Sequence, residues 1–365
     1  MRILSLLKRF RIALVTCAFL ALTACGGGGG SSDSGSGGSG GDFSNSGDTA
    51  LNRSLEAYVN DVIIFLLTNL SSQASGLQGA VNTFAASPTD GNLAAARSQW
   101  VATRQPWERS ETSLFGPVDF NGFDPALDTW PVNRTDLQNV LDSGTSLSAS
   151  SVASFDPSLK GFHTIEFLLF GVGGAKTAAS FTPREIEYLQ GAVQDLVNVA
   201  NNLLASWTTG INGSGPFATE FVRAGQGSTV FPSAESALEE AIRGMITIAD
   251  EVANGKIADP FDTRNTELVE SQFSYNSITD FTNNIRGIQF AYESAVSIYV
   301  ASIDPQLDAR VRTELAQAIA ALQQIPEPFR SAILDPSNDS VIINAQREIG
   351  DVQTIIQQEV LPLVL

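Results

Sequence analysis

Apolar residues recur at helical spacing along most of the chain after residue 48. The clearest example follows Thr182-Pro183-Arg184-Glu185, which offers a threonine N-cap, a proline at the first helical position and a glutamate at the third. Behind it, apolar residues fall on one helical face as far as Leu204. Period-two runs bounded by hairpin turns are nearly absent from the sequence. The pattern therefore predicts an all-α fold of helical bundles with short connections.

Further helices are predicted on both sides of this segment. They cover approximately residues 50–86, 90–115, 233–255, 263–271, 277–302, 306–324 and 339–362. Pro106 is expected to kink or break the second of them, because proline removes a backbone donor and its ring clashes with the preceding turn. Residues 116–133 are dense in Gly, Pro, Asp and Asn, which predicts an ordered loop.

The N-terminal segment has a different pattern. Four basic residues within the first 11 precede an apolar run from Ile12 to Ala24. This run is shorter than the roughly 20 residues that a membrane span needs, and it is typical of a signal peptide. It ends in Leu22-Thr23-Ala24-Cys25, which resembles a bacterial lipobox. We therefore predict a signal peptide over residues 1–24 and a lipid on Cys25. An ordinary secretory signal is the alternative.

Residues 26–41 are Gly and Ser apart from Asp33, a composition that buries too little apolar surface to fold. Residues 25–47 are accordingly predicted as a flexible tether, and residues 48–365 as the folded domain. Gly26 follows the cysteine, which resembles the outer-membrane address of Gram-negative lipoproteins. The predicted location is the cell envelope, facing the periplasm, at the outer membrane.

The composition of the chain limits its partners. The 39 acidic residues outnumber the 21 basic ones, and the net charge is −18. Nucleic acid and anionic lipid surfaces are disfavoured, since both need clustered Lys and Arg, so contact with the membrane is expected through the lipid alone. Of the two cysteines, Cys17 would leave with the signal and Cys25 would carry the lipid, which excludes a disulfide. Metal cations are favoured partners, although acidic charge also promotes solubility.

One histidine is present in the chain, His163. Glu166 follows it three residues later, and on a helix this spacing puts both side chains on one face, where they could bind one metal ion. The spacing alone fits a His–Glu hydrogen bond in a packed interior better than a metal site.

The residues around His163 change this weighting. The segment Gly161-Phe162-His163-Thr164-Ile165-Glu166 resembles the G-x-H-x-x-E signature of the imelysin family, which includes insulin-cleaving metalloproteinases and iron-regulated envelope proteins. Three other segments resemble the family in the same order: Trp107-Glu108-Arg109-Ser110-Glu111, Asp124-Pro125-Ala126-Leu127-Asp128 and Glu270-Ser271-Gln272-Phe273-Ser274. The resemblance covers roughly residues 48–365. It implies two closely packed halves, each like a four-helix bundle, with the functional site between them.

The resemblance also implies a metal site. It carries the ligands over to His163, Glu166, Glu111, Asp128 and Glu270, with Asp280 as a further candidate. Each acid has a structural alternative: Glu111 as a solvated acid paired with a neighbouring arginine, Asp128 as a loop cap, and Asp280 in the first turn of a helix.

One imidazole and several carboxylates form a hard, oxygen-rich ligand set. This set favours iron, divalent or trivalent, with zinc, manganese and calcium still open. We predict an envelope metal-binding protein in iron acquisition, with another envelope protein as a candidate partner.

Two alternatives remain open. A metallopeptidase would have Glu166 as its candidate catalytic residue, but no H-E-x-x-H can be built from one histidine, and catalytic zinc commonly takes two or three. A scaffold that binds a peptide or protein without metal is the other.

Overall fold

Side-chain caps begin several of the helices. The computed structural model describes Phe43, Gly47 and residues 49–365. Thr182 accepts a hydrogen bond from the backbone N–H of Glu185 (3.1 Å), and the Glu185 carboxylate accepts one from the N–H of Thr182 (2.7 Å). This reciprocal pair is the predicted capping box, and it opens the α-helix Pro183–Thr208.

The predicted signal peptide, Cys25 and Gly26 lie outside the described residues. Within the predicted tether, Phe43 exchanges hydrogen bonds with the side chain of Asn60 at 3.2 and 2.9 Å. The carbonyl oxygen of Gly47 accepts one from Asn52 (3.0 Å). The chain therefore already contacts the helical domain at Phe43, before the predicted domain boundary.

The first part of the domain contains these α-helices: α1 (Ala50–Ala57), α2 (Phe65–Ala86), α3 (Asp90–Ser110), α4 (Pro117–Phe120), α5 (Phe123–Asp128), α6 (Arg134–Asp142), α7 (Ala149–Ala153), α8 (Gly161–Phe170) and α9 (Pro183–Thr208). The second part contains α10 (Phe217–Val222), α11 (Ala234–Glu251), α12 (Ala258–Thr263), α13 (Ser277–Ala291), α14 (Ser297–Ile303), α15 (Pro305–Leu322), α16 (Phe329–Ala332) and α17 (Asp339–Ile355). No β-strand occurs among the described residues. The predicted all-α fold is confirmed.

Among the described residues, four short π-helical segments each extend one of these helices, and three of them connect it directly to the next helix. They cover Tyr58–Ile64, Val252–Ile257, Tyr292–Val296 and Ile356–Val360. The first joins α1 to α2, and the second joins α11 to α12. The predicted helices at 50–86 and 277–302 are thus continuous rods that contain one π-helical segment each.

Three predicted elements differ from the structure. Helix α3 runs through Pro106 and ends at Ser110, so of the predicted kink or break the break does not occur. Residues 116–133 contain the short helices α4 and α5 instead of being loop throughout. The predicted helix at 263–271 is wrong: only a 3₁₀ turn over Thr266–Leu268 forms, and an irregular loop follows it as far as Asn276.

The helices pack as two sets that share one core. In the first set, α9 packs against α2 and α8, and α2 packs against α3. In the second set, α17 packs against α11 and α15, and α13 packs against α15. Helix α3 also packs against α13 across the two sets, which together form a single compact unit. This arrangement confirms the two predicted halves. None of the helices in the described residues is both long and apolar enough to cross a membrane.

Candidate metal centre

The candidate site lies where α3 of the first set meets α13 of the second. Gly287 on α13 permits this approach, because a Cβ there would collide with the backbone of Arg109 on α3. Gly161, at φ +71°, begins α8 against the end of α5, and a Cβ on it would collide with the carbonyl oxygen of Leu127. This close approach brings Asp128 next to His163, two residues into α8.

His163 has carboxylates on both sides of its ring, which is 2 % exposed. Its Nδ1 lies 3.2 Å from Oε2 of Glu166. Its Nε2 lies 3.0 Å from Oδ1 of Asp128 and 3.7 Å from Oε1 of Glu270. Nε2 makes no well-aligned hydrogen bond with any described residue. Three carboxylates therefore converge on the ring, which a single packed His–Glu hydrogen bond does not explain.

Both oxygens of the Glu166 carboxylate have polar partners that fix its orientation. Oε1 accepts hydrogen bonds from the backbone N–H groups of Phe273 (2.9 Å) and Ser274 (2.7 Å) and from the Ser274 hydroxyl (2.8 Å). Oε2 faces His163. Glu166 thus ties the imidazole of α8 to the loop that carries Glu270, and it leaves Nε2 as the nitrogen directed at the other carboxylates.

Arg104 is a fully buried guanidinium at the centre of the cluster. It contacts Glu108 one helical turn later and Asp128, and its Nη2 lies 2.8 Å from Oε1 of Glu270. Oδ2 of Asp280 lies 3.7 Å from the same nitrogen. The indole N–H of Trp107 donates to the second oxygen of Asp128 (2.6 Å). The bonds from Arg104 and Trp107 hold Asp128 with one oxygen toward His163.

Lys256 supplies a second buried cation from the π-helical segment Val252–Ile257. Its Nζ lies 2.9 Å from Oε2 of Glu111, 3.4 Å from Oε2 of Glu108 and 3.2 Å from Oε2 of Glu270. The side-chain amide of Asn284 also donates to Glu111 (2.6 Å) and Glu108 (2.8 Å). These acids on and just after α3 are buried inside the protein and are not solvated.

The cluster holds more buried carboxylates than cations. Its acids are Glu108, Glu111, Asp128, Glu166, Glu270 and Asp280, each at most 4 % exposed. Arg104 and Lys256 are permanent cations, and His163 adds one charge only when it is protonated. Burying an unpaired carboxylate is costly, so the surplus has to be met by protons or by a further cation.

Three of the acids, Glu108, Glu111 and Asp280, have raised pKa values because they are buried. Burial raises the pKa of Glu111 well above its ordinary value, and the nearby Lys256 offsets only part of this effect. Burial likewise raises the pKa of Asp280 well above its ordinary value despite the attraction of Arg104. These acids therefore keep a proton to higher pH than solvated carboxylates do, which reduces the surplus of buried negative charge.

Asp128 and Glu270, which face Nε2 of His163, have lowered pKa values instead. Burial opposes the charge on Asp128, but Arg104 and His163 outweigh it and lower the pKa of Asp128 below its ordinary value. Burial opposes the charge on Glu270 as well, but Lys256, together with the nearby His163 and Arg104, lowers the pKa of Glu270 to about 2. Asp128 and Glu270 are therefore carboxylates at neutral pH.

The cluster contains all five predicted ligands but does not place them equally. Asp128, His163 and Glu270 each offer one ligand atom, and these atoms lie within 4.8 Å of one another. Glu166 lies on the opposite nitrogen of the ring. Glu111 lies beside Lys256 and groups with Glu108 and Asp128 instead. Asp280 is in the first turn of α13, as its structural alternative holds, and also lies beside Arg104.

Sequence reasoning missed four members of the cluster: Arg104, Glu108, Lys256 and Asn284. Arg104 and Glu108 form an i,i+4 pair on α3, a pattern that is much more common on solvated surfaces. The sequence around Lys256 contains no feature that distinguishes it from an exposed lysine.

Several known proteins resemble this chain in sequence and in fold. The profile of the family described as Imelysin matches residues 66–356. Iron-regulated protein A of Synechococcus elongatus is 30 % identical over 334 residues, which cover 88 % of this chain and 90 % of that protein. A crystal structure provisionally described as an iron-regulated protein A precursor from Parabacteroides distasonis is 26 % identical, with a TM-score of 0.78 over 86 % of this chain and 95 % of that one.

A second crystal structure, of an imelysin-like protein from Psychrobacter arcticum 273-4, is 15 % identical and has a TM-score of 0.70. It covers 88 % of this chain and 98 % of that one. At this identity the match shows a shared fold only.

Proposed function

The chain belongs to the imelysin family, and on that basis we propose that it binds a metal ion, with iron as the preferred metal, in the bacterial cell envelope. Asp128, His163 and Glu270 hold the ion. Glu166 orients the imidazole, and Glu111 adds negative charge beside the ion. The proposed role is metal handling in iron acquisition, with another envelope protein as the partner that delivers or receives the ion.

The arrangement of donors around Nε2 of His163 carries this proposal. One imidazole nitrogen and two carboxylate oxygens, each from a different segment of the chain, lie within 4.8 Å of one another. Nε2 has no well-aligned hydrogen-bond partner among the described residues, although the ring is buried. Such an atom loses hydration without compensation unless a proton or metal ion joins it to the carboxylates.

The donor set fits iron. Carboxylate oxygens and imidazole are hard to borderline ligands, which suit iron better than a soft cation. The surplus of buried carboxylates favours a multiply charged ion, because such an ion neutralises several of them at once. The name of the cyanobacterial relative, iron-regulated protein A, supports the choice of iron.

No specific observation favours the metallopeptidase alternative. Its candidate catalytic residue, Glu166, has one oxygen engaged by three hydrogen bonds and the other facing His163. A general base must be able to reach a water or substrate proton, and this carboxylate is already fully engaged. Chelator-sensitive cleavage of an unfolded protein, abolished by Glu166→Ala, would reverse this ranking.

Metal titration tests the proposal. Purified protein is titrated anaerobically with Fe²⁺ and aerobically with Fe³⁺ and Zn²⁺, and the bound metal is counted after desalting. We expect one iron per chain in the wild type and a loss of affinity of about 100-fold or more in His163→Ala, since outer-shell changes alone cost 10- to 100-fold.

A surface variant serves as the matched control. Glu314, Glu348 and Asp351 form a partly exposed acidic group without a histidine. Asp351→Asn is expected to leave iron binding unchanged. If His163→Ala binds iron as the wild type does, or if Asp351→Asn loses the same amount of bound iron, the proposed centre is excluded.

The proposed location rests on Cys25. A lipid on this residue would hold the domain at the periplasmic face of a membrane, with the outer membrane as the address indicated by Gly26. We expect Cys25→Ser to move the protein from the membrane fraction to the soluble periplasmic fraction without a change in iron binding. If the variant remains in the membrane fraction, the anchor is not the lipid.

A further inference from the structure

Lys256 places its buried ammonium group among carboxylates, in a position that would also suit a metal ion. Its ammonium has Glu111, Glu108 and Glu270 within 3.4 Å, and its side chain is inaccessible to solvent. The residue projects from a π-helical segment, and such segments are frequent at functional sites. The half-buried ring of Trp130 lies 5.5 Å from the ammonium. The protein thus holds a tethered cation inside its own carboxylate cluster.

Two of the acids around Lys256, Glu108 and Glu111, belong to a second set of possible ligands. Glu108, Glu111 and Asp128 each offer an oxygen, and these atoms lie within 4.8 Å of one another. Asn284 donates to Glu108 and Glu111, while its amide oxygen, fully buried, has no partner in the described part of the chain. A rotation of this amide would exchange its nitrogen for its oxygen and turn the oxygen toward Glu108 and Glu111, where an amide oxygen is an additional neutral ligand for a hard cation.

This second position shares residues with the first. Glu270 has one oxygen 3.7 Å from Nε2 of His163 and both oxygens within 3.3 Å of Nζ of Lys256. Asp128 belongs to both groups of ligand atoms. Shared carboxylates of this kind bridge the two ions of dinuclear carboxylate sites in helical bundles. Here one of the two cation positions holds an ammonium.

We propose that Lys256 fills the second of two adjacent cation positions and thereby restricts the cluster to a single metal ion. Removing its charge opens a second site for a hard divalent cation, formed by Glu108, Glu111 and Asp128 with Asn284 nearby. The inference rests on the proposed function for the first ion only, because the second position does not use His163.

Manganese(II) tests the inference, because it prefers oxygen ligands and is visible by electron paramagnetic resonance. Four proteins are compared: the wild type, His163→Ala, Lys256→Met and the double variant. Methionine matches the length of the lysine stem without its charge. We expect one bound Mn²⁺ per chain in the wild type and in the double variant, none in His163→Ala and two in Lys256→Met. Only Lys256→Met should give an exchange-coupled spectrum.

A charge-balanced variant is the control. Lys256→Met combined with Glu108→Gln removes one positive charge and one negative charge that belongs to the second position only, and it is expected to bind one Mn²⁺, as the wild type does. A structural salt bridge alone predicts that Lys256→Met and this control bind the same amount. Equal binding would therefore overturn the inference.

The remaining outcomes also decide the question. If Lys256→Met does not fold without metal, 1 mM Mn²⁺ is expected to restore its folding, because the second position should bind Mn²⁺ with a dissociation constant of about 1 mM or lower. A variant that stays unfolded contradicts the inference. If the wild type binds no Mn²⁺ but Lys256→Met binds one ion that survives His163→Ala, the second position is supported while the proposed function fails.

Discussion

At the residue scale, the two nitrogens of His163 have different chemical surroundings. Nδ1 faces Glu166, which accepts only, so Nδ1 carries the proton in the neutral ring. The lone pair then lies on Nε2, directed at Asp128 and Glu270. Glu166 is fixed in turn by backbone N–H groups of the 269–276 loop. One carboxylate therefore selects the tautomer that can bind metal.

Glu166→Gln tests this role. The introduced amide can keep its oxygen on the loop, but it turns an N–H donor toward Nδ1. This favours the tautomer with its proton on Nε2 and removes the lone pair. We expect iron affinity to fall by about 10- to 100-fold, with the free energy of unfolding little changed. Metal titration and the ¹⁵N chemical shifts of the imidazole measure both effects. Glu187→Gln, an exposed change on α9, is the control; equal affinity in both variants would refute the tautomer argument.

Asp124 provides a pH-dependent prediction. Burial, with repulsion from Asp128, raises the pKa of Asp124 from 3.8 to about 7. The folded state therefore binds a proton that the unfolded state releases between about pH 4 and pH 7, so stability falls as the pH rises through this window. Asp124→Asn removes this loss. We expect the variant to exceed the wild type in free energy of unfolding by roughly 2 kcal/mol at pH 8, and by much less at pH 4. Urea unfolding in chelator at both pH values measures the difference, and a pH-independent difference would contradict it.

Single residues also show how far the sequence could predict the site. Resemblance to family motifs singled out Asp128, His163 and Glu270 as candidates, because motif order is visible in the sequence, and the structure brings these three side chains together. Arg104 and Lys256 could not be identified in this way. A buried lysine has the same sequence appearance as a solvated one, and only the packing of α3 against α13 shows which carboxylates surround it.

At the element scale, the 269–276 loop illustrates a different limit. Helical spacing predicts helix up to residue 271, but Ser271 and Tyr275 adopt left-handed backbone conformations, at φ 52° and 63°. Such conformations cost free energy for residues with a Cβ, and they persist where surrounding contacts fix them. Here the contacts are the hydrogen bonds from the loop to Glu166. Because that carboxylate is distant in sequence, local propensity could not predict the loop.

Gly161 is the element-scale feature that can be tested most directly. A Cβ at this left-handed position would strain the backbone and collide with the carbonyl oxygen of Leu127. We expect Gly161→Ala to lower the free energy of unfolding by roughly 1–3 kcal/mol and to weaken iron binding, because the collision separates α5 from α8.

Urea unfolding and iron titration measure the two effects. Gly79→Ala is the control, since a Cβ at this exposed helical position meets nothing within 4 Å. It should stabilise the protein by roughly 0.5–1 kcal/mol and leave iron binding unchanged. A stable Gly161→Ala variant with normal iron affinity would show that the close approach of α5 and α8 is not required.

At the scale of the whole molecule, the candidate centre joins segments that are far apart in the chain. Asp128, His163 and Glu270 come from α5, α8 and the 269–276 loop, and Arg104 and Asp280 add α3 and α13. A cation bound there contacts both helical sets through their side chains. It also offsets part of the buried negative charge, so binding and global stability are linked.

This linkage depends on pH in a defined direction. Burial opposes a charge on the ring, but Asp128 and the hydrogen bonds with Glu166 raise the pKa of His163 well above its ordinary value of 6.5. A metal ion has to displace the proton from Nε2, so its affinity rises by up to about tenfold per pH unit for each proton released. The stabilisation by metal should therefore be larger at pH 8 than at pH 6.

Thermal unfolding with and without iron measures this effect. At 100 times the dissociation constant, one bound ion adds about 2.7 kcal/mol, which raises the midpoint by roughly 3–5 °C for a domain of this size. The same metal concentration should give a smaller increase at pH 6 and none in His163→Ala. An increase of equal size in His163→Ala would place the bound ion elsewhere. An increase that does not change with pH would mean that binding displaces no proton, which is incompatible with Nε2 as the ligand atom.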